Sequence, residues 1–475
     1  MKLFSSDRLS PILVKELRQG VRSKLFLGAF LIIQLLLFLY GTTLLMSSNF
    51  GGDSKAELVL FWSAIVVPML ILVPSMASQG IEKEITGKTL DLLLLTRISS
   101  YRLVLGKWAS VIVQSTLLVT SALPYLMLRY FLGGIDIWNE LKSFAILVLA
   151  SALLAGITMG FSATKVSKLI KWVGVLALFW LGPYMFIVLV SSSRGFSSTG
   201  SGSALVIWVY AFIAMLMMLA LAASRIGPPA ENHSTPIRVL ALVALGAGLM
   251  FSGAQDVEVL SVMFAILILV PSIIGALTEK VRPVPRLYAP FMKRTGLMRW
   301  ISFPLSPGWP GGVAFTCLVL SLTPWFPVWF GEFPPSVFVA LAATFLFPAA
   351  LLRSFLRPER QSPGFYLLTV VLLTIPIYVW GAARAFDNAT VVYLVECVVG
   401  LFPPVALALD LSEPSGYSGA AAALEGLLVL GWSLIALVRA ARSEWHTLEW
   451  LQMPPEEPVP LSIAPVAAAA EGSPS

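Results

Sequence analysis

Charged residues, cysteines and histidines are scarce in this 475-residue chain. Charged residues make up 12% of it and apolar residues 57%. An average soluble domain has about 25% charged residues and about 45 to 50% apolar residues. This balance excludes a soluble globular protein and leaves room for roughly a dozen membrane spans of about 20 residues each. Cys317 and Cys397 lie in apolar runs, which excludes a disulfide framework, and two histidines provide almost no metal ligands. We therefore expect no metal site and no cofactor.

Long apolar runs bounded by charged residues predict thirteen candidate membrane segments. They are Leu25–Met46, Leu58–Ser78, Leu103–Leu128, Leu141–Ala163, Leu169–Val190, Ser203–Ala223, Ile237–Ser252, Val257–Leu277, Gly311–Phe330, Ser336–Leu352, Phe365–Ala383, Thr390–Leu409 and Ser418–Val438. The first run is too long for a cleavable signal and lacks its small-residue cleavage pattern, so we expect it to be retained as the first span.

Lysine and arginine are distributed unevenly among the segments that connect these runs. All but five of the 32 lie before the first run, after the last run, or in alternate loops and the first few residues of the runs that follow those loops. The five exceptions are Lys55, Arg129, Lys142, Arg194 and Arg384. Because membrane insertion leaves positive charge in the cytoplasm, this pattern predicts a multi-pass protein of the plasma membrane, the inner membrane of bacteria, with both termini cytoplasmic. The lipid bilayer accounts for the net charge of +7, and no nucleic-acid partner is expected.

Thirteen crossings would place the arginines that follow the last run on the outer side, against this pattern. The weakest segment is Thr390–Leu409, because it contains Glu396 and two adjacent prolines that interrupt helical hydrogen bonding. We predict that it forms an outer re-entrant hairpin near residues 390–409. The predicted fold is then an all-α polytopic membrane protein with about twelve transmembrane helices.

The spacing of the runs predicts two tandem six-helix units. Corresponding runs begin at residues 25 and 237, 103 and 311, and 203 and 418. The predicted organisation is a cytoplasmic amphipathic segment, a first unit, a second and divergent unit, and a disordered tail, at residues 1–24, 25–225, 226–453 and 454–475. The longest connection, Thr278–Pro310, is too short to fold as a nucleotide-hydrolysing domain.

The segment before the first run is amphipathic when it is projected as a helix. Leu13, Leu17 and other apolar residues share one side, and the opposite side is charged. The charged residues are Lys15, Glu16, Arg18 and Arg22. This pattern predicts a helix that lies flat at the inner membrane surface, either held by anionic headgroups or packed as a lever against a cytoplasmic partner.

The loop after the second run, Gly80–Lys107, carries an apolar cluster at Leu90 and 92–95, surrounded by charged residues. The cluster is too short to span, and an exposed apolar patch rimmed by charge is typical of a binding surface. Packing on the ends of neighbouring helices is the alternative. Residues 87–89 imitate the end of a phosphate-binding loop, but Glu82 stands where that motif needs glycine.

This loop resembles that of the type-2 family of ABC transporter permeases. The matching residues include Glu82, Glu84, Gly87, Thr89, Leu90, Leu94, Thr96, Gly106 and Lys107. The stretch Pro11–Arg22 is similar to the surface helix that opens those permeases. The resemblance implies six helices per half, an outer hairpin between helices five and six, and a coupling helix in this loop. That helix docks into a dimeric ATP-binding subunit on the cytoplasmic side, so the chain itself is expected to be the non-catalytic permease subunit of an exporter.

Two departures from the family pattern affect partner binding. Arg97 stands where many relatives have proline, and the connection Thr278–Pro310 lacks the glycine, threonine and leucine pattern. The second unit is therefore expected to dock differently, weakly or not at all. If only the first unit docks, a homodimer or a heterodimer is expected.

Polar groups within the predicted membrane segments are few. Gln34, Gln114 and Glu396 form the candidate intramembrane polar site. An ion-coupled secondary transporter, the main alternative, would need more carboxylates near the midplane. A lipid-modifying enzyme would need clustered acids, histidines or a metal set. A membrane scaffold without transport remains a further alternative, and no residue pattern indicates the substrate.

Overall fold

The computed structural model confirms an all-helical chain. It describes residues 11–46, 55–86, 99–132, 136–163, 200–228, 231–253, 257–282, 284–292, 297–326, 335–355, 363–384 and 418–450. Within these ranges the regular structure consists of α-helices and short 3-10 turns, with no β-strand. The apolar runs form helices because every backbone polar group must be paired within the segment when water is absent.

The helices of the first half follow the predicted spans closely. They are α1 (Pro11–Val21), α2 (Lys24–Met46), α3 (Lys55–Thr86), α4 (Ser100–Thr120), α5 (Leu123–Leu132), α6 (Ile137–Ala163) and α7 (Gly200–Ile226). A tight turn separates α4 from α5, and the two together cover one predicted span. The predicted span Leu169–Val190 lies outside the described residues.

The second half has more short elements. Its helices are α8 (Ser234–Phe251), α9 (Glu258–Thr278), α10 (Pro285–Met292), α11 (Leu297–Ser302), α12 (Trp309–Leu322), α13 (Pro335–Phe355), α14 (Pro363–Arg384) and α15 (Ser418–Trp450). The predicted span Gly311–Phe330 is shorter than expected, because α12 gives way to a 3-10 turn at Thr323–Trp325. Pro324 lies in that turn and cannot donate a helical hydrogen bond. The predicted hairpin Thr390–Leu409 lies outside the described residues.

Eight helices of the described part are long and apolar enough to cross a membrane. They cover Lys24–Thr43, Leu60–Gly80, Ser100–Phe131, Ile137–Ala163, Gly202–Ile226, Ser234–Phe251, Glu258–Thr278 and Phe338–Phe355. The chain is therefore a multi-pass helical membrane protein. The total of twelve spans stays a prediction.

Two parallel helix pairs organise the packing. A side chain on Gly156 of α6 would clash with Met215 of α7, and a Cβ on Gly160 would lie 2.6 Å from the carbonyl oxygen of Met218. The contact positions ascend together along both helices, so α6 and α7 run parallel. The second pair is α13 and α15. A Cβ at residue 426 would lie 3.4 Å from a methyl group of Val339, and the rings of residues 347 and 432 are 5.6 Å apart, so these contacts also ascend together along both helices.

The buried apolar residues form two large clusters that meet at α7. One cluster joins α2 to α7, and the other joins α7 to the helices of the second half. Helix α7 contributes to both, with Leu219 in the first and Tyr210 in the second. It is therefore the common wall between the two halves.

One end of the bundle collects most of the polar contacts and is called the α1 end below. Glu16 of α1 contacts α4 there, and the connection 227–234 contacts the start of α4. Near the end of α13, Arg353 donates a 3.1 Å hydrogen bond to the carbonyl oxygen of Leu277 in α9. The predicted coupling loop leaves α3 and enters α4 at this end.

Candidate functional site

A buried ion pair joins the surface helix to the helix that follows the predicted coupling loop. The ammonium of Lys107 lies 3.0 Å from a carboxylate oxygen of Glu16, and the two side chains are 6% and 13% exposed. A buried charge requires a partner, so each group fixes the position of the other. Helix α1 is thus packed against α4, and lipid is not its only possible attachment.

This pairing differs from the positions that the sequence suggested for both residues. Glu16 was expected on the charged outer side of α1, but it is covered. Lys107 and Gly106 were expected in the loop, but they lie about two turns inside α4, which begins at Ser100. These positions were assigned to the loop through the resemblance to the permease family, although the predicted span Leu103–Leu128 also contains them. A partner on α1 allows a lysine to stay buried in a helix.

A second contact lies further along the two helices. Gly20 of α1 packs so closely on the side-chain amide of Gln114 that a Cβ at residue 20 would clash with it. Gln114 is buried. Helix α1 therefore follows α4 over about two turns. Lys15 and Arg18 of α1, and Arg22 directly after it, are exposed and available to lipid or to a partner.

Only some of the predicted docking residues lie within the part of the chain that the structure describes. Glu82 and Glu84 lie in the last turns of α3, which continues to Thr86. The residues expected to touch the partner most directly lie outside the described residues. They are Gly87, Thr89, Leu90, Leu94 and Thr96. Their role stays a prediction.

The start of α4 is also tied to the connection between the two halves. The hydroxyl of Ser100 donates a short hydrogen bond to a carboxylate oxygen of Glu231. The ring of His233 lies 5.4 Å from that of Tyr101, and its Nε2 atom is 3.6 Å from Glu231. A side chain at Gly227 would clash with the imidazole, so glycine permits this close approach.

Burial sets the protonation of this junction. His233 is 4% exposed. Its pKa is lowered by burial, and Arg282 adds to this, whereas Glu231 opposes it. The imidazole is therefore neutral at neutral pH. Sequence analysis missed this residue because its ring partner, Tyr101, and the helix that buries it lie far away in the sequence. The scarcity of histidine in the chain was the only available signal.

A second polar network holds the long connection of the second half. Arg238, which is 2% exposed, donates hydrogen bonds of 2.7 Å to Glu279 and 2.9 Å to the carbonyl oxygen of Gly308. It also donates to the carbonyl oxygens of Pro304 and Ser306. One guanidinium thus binds both ends of the connection 279–308. The connection is fixed on α8 at these points.

A glycine with a positive φ angle contributes to this attachment. Gly308 adopts φ +91°, a conformation that favours glycine, and it directs its carbonyl group to Arg238. A side chain at Gly311 would meet the carbonyl oxygen and hydroxyl of Ser306. The two glycines therefore let the connection turn sharply into α12.

The candidate intramembrane polar residues do not share partners. The amide nitrogen of Gln34 donates to the hydroxyl of Ser121 at 2.8 Å and to its carbonyl oxygen at 3.3 Å. Gln114 contacts Gly20 instead. Glu396 lies outside the described residues. The two glutamines join helices, and no common polar site forms between them.

Another buried ion pair lies at the opposite end of the bundle. The guanidinium of Arg129 is 3.9 Å from a carboxylate oxygen of Glu140, and its central carbon is 4.4 Å from the ring centroid of Phe61. Sequence analysis placed Arg129 among the few outer charges but gave it no partner. The pair joins the end of α5 to the start of α6.

Within the described ranges, no three histidine, cysteine, aspartate or glutamate residues are grouped to hold a metal ion. The polar groups of the α1 end instead connect helices to one another and to the connections 227–234 and 279–308. Compared with protein-family models, curated proteins and solved structures, the chain gives no significant match.

Proposed function

We propose that the chain is the membrane-spanning, non-catalytic permease subunit of an ATP-driven exporter, similar to the type-2 family of ABC transporters. ATP hydrolysis takes place on a separate dimeric subunit that binds the loop after α3. The observation that supports this most strongly is the ion pair between Glu16 and Lys107. It joins the surface helix to the helix into which the loop leads.

The ion pair makes α1 and α4 a mechanical unit. Separating the two side chains would take the carboxylate of Glu16 away from the buried ammonium of Lys107, which is unfavourable. A movement imposed on the loop is therefore transmitted to both helices together. The close contact between Gly20 and Gln114 extends this unit toward the membrane interior.

The junction at the start of α4 carries the same movement to the second half. Ser100 is bonded to Glu231, which lies in the connection that leads directly into α8. A displacement of Ser100 thus acts on both halves. Transport requires that the ATPase bind one conformation more tightly than the other, because equal affinity would shift no equilibrium.

The parallel pairs support tandem units at residues 25–225 and 226–453. Helices α6 and α7 are the fourth and sixth predicted spans of the first unit, and α13 and α15 are the fourth and sixth of the second. Both pairs run parallel. In the proposed orientation, the α1 end lies on the cytoplasmic side of the plasma membrane, and both termini are on that side.

The two halves differ in how their long connections are held. In the second half, Arg238 binds the connection at Glu279 and near Gly308. A connection held in this way has less freedom to engage a partner. We therefore assign docking of the ATPase to the first unit, which makes two permease chains per ATPase dimer the expected assembly.

The test is purification of the tagged chain in mild detergent, followed by mass spectrometry and an ATPase assay. We expect an ATP-binding subunit in the wild-type sample and its loss in Leu94→Asp. Met298→Asp, at an exposed apolar position outside the loop and outside the membrane spans, provides the control. A well-folded wild-type preparation without any ATPase would contradict the proposal. Transport that stops with an uncoupler but persists after ATP depletion would then identify an ion-coupled transporter.

A further inference from the structure

An open groove of about 260 Å³ lies between α12 and α15 at the α1 end. Trp309 and Val313 line it on α12, and Leu437, Ala441 and Arg442 line it on α15. Every lining residue except Arg442 is apolar. The groove therefore has apolar walls and a single cationic side chain.

The groove runs along the two helices, with its polar part at the α1 end. Trp309 is the first residue of α12, and Val313 lies about 6 Å deeper. On the other wall, Leu437 is about one turn deeper than Ala441, which is followed by Arg442. The arginine therefore marks the mouth, and the apolar walls continue toward the membrane interior.

The tryptophan wall is held in place by another cation. The guanidinium of Arg353 lies 4.3 Å from the ring centroid of Trp309, and it is itself bonded to the carbonyl oxygen of Leu277. A cation stacked on the indole ring fixes its orientation. The groove is thus shaped by α9, α12, α13 and α15 before any ligand enters, and its mouth has a second positive charge nearby.

The chemistry of the groove selects its occupant. Water has no polar partners along its walls, so hydrocarbon fills it more favourably. Arg442 is exposed, and none of the ion pairs among the described residues engages its guanidinium. Arginine binds phosphate groups through paired hydrogen bonds and extends to the headgroup level of a bilayer.

We infer that this groove is a binding site for an anionic phospholipid. One acyl chain lies between Val313 and Val438, which is exposed on α15, and the phosphate and headgroup bind Arg442. The site belongs to the second half and does not depend on the ATPase that we propose for the first. Its occupant would fasten α15 to α12 at the membrane surface.

The experiment uses the full chain in phosphatidylcholine nanodiscs that contain a small fraction of a photoactivatable lipid. The probe is either phosphatidylglycerol or phosphatidylcholine with the same diazirine-bearing acyl chain. After illumination, mass spectrometry locates the labelled peptides. We expect labelling of α12 and α15 to be about fivefold stronger with the phosphatidylglycerol probe, the effect of one arginine near an anionic headgroup.

Two variants distinguish the contribution of the lipid headgroup from that of the acyl chain. Arg442→Gln should reduce labelling by the phosphatidylglycerol probe to the phosphatidylcholine level, whereas Ala441→Trp should fill the groove and reduce both. Arg439→Gln is the matched control, because Arg439 is exposed on the same helix but does not line the groove. Equal labelling by both probes in the wild type would overturn the inference and show contact with bulk lipid only. An Arg439→Gln effect as large as that of Arg442→Gln would also overturn it.

Discussion

Lys107 and Glu16 are 91 residues apart in the chain, yet their side chains form a 3.0 Å ion pair between α4 and α1. The pair is mostly buried, so each charge stabilises the other. It lies at the base of the loop that we propose as the docking site. Both the fold and the proposed coupling therefore depend on the same contact.

Glu16→Gln should destabilise the protein by up to about 3 to 5 kcal/mol, because the buried ammonium of Lys107 would lose the carboxylate that lies 3.0 Å from it. The double variant Glu16→Gln with Lys107→Met should recover most of this loss, since it removes both charges. Unfolding midpoints in one detergent measure the effect. Lys15→Gln is the control because Lys15 is exposed on the neighbouring position. An effect of Glu16→Gln no larger than that of the control would show that the pair contributes little.

Gly20→Leu should separate α1 from α4, because any side chain at this position meets the amide of Gln114. Overpacking of this kind costs about 1 to 3 kcal/mol. Gln114→Ala in the same chain should restore part of the loss by making room. Gly28→Leu serves as the control, since nothing lies within 4 Å of a Cβ at that position. Equal destabilisation by the two glycine substitutions would contradict the close packing of α1.

The sequence predicts the membrane helices well because apolar length is a local property. The predicted spans Leu141–Ala163 and Ser203–Ala223 lie within α6 and α7. Twenty apolar residues form a helix in a bilayer whatever their neighbours are. Gly311–Phe330 was less well predicted, because hydropathy does not register the proline that ends α12.

The polar contacts were beyond prediction because they join distant parts of the chain. A helical projection treats Glu16 as exposed, since it has no information on the lysine that approaches from α4. For the same reason, Arg238 appeared as an ordinary positive charge of an inner loop, whereas it is the buried donor to Glu279. Burial of a charge depends on its tertiary partner, which no single segment reveals.

Glu84→Arg should leave membrane insertion intact but uncouple ATP hydrolysis from transport, because it reverses the charge beside the proposed docking loop. The yield of protein in the membrane fraction measures insertion, and the ATPase activity of the co-purified complex measures coupling. Glu57→Arg makes the same change near the other end of α3. Normal complex formation and activity in Glu84→Arg would refute this role for the end of α3.

Arg238→Met should loosen the connection 279–308, because one carboxylate oxygen of Glu279 and three backbone carbonyl groups would lose the guanidinium as donor. Loss of one partner from a buried ionic network costs about 3 to 5 kcal/mol. Trypsin should then cleave faster after Lys280, which follows Glu279. Arg225→Met, at an exposed position, is the control. Unchanged cleavage in Arg238→Met would show that other contacts hold the connection.

The junction at His233 should make the stability of the protein sensitive to mild acid. Burial lowers the pKa of His233 below its ordinary value of 6.5, with Arg282 acting in the same direction and Glu231 against it. Near that pH the unfolded chain binds more protons than the native protein, so stability falls as the pH drops below 6.5 toward the lowered native value. His233→Gln should flatten this part of the pH profile of the unfolding midpoint, and His446→Gln should not. If the wild type and His233→Gln lost stability in parallel as the pH fell, the buried neutral imidazole would not be the cause.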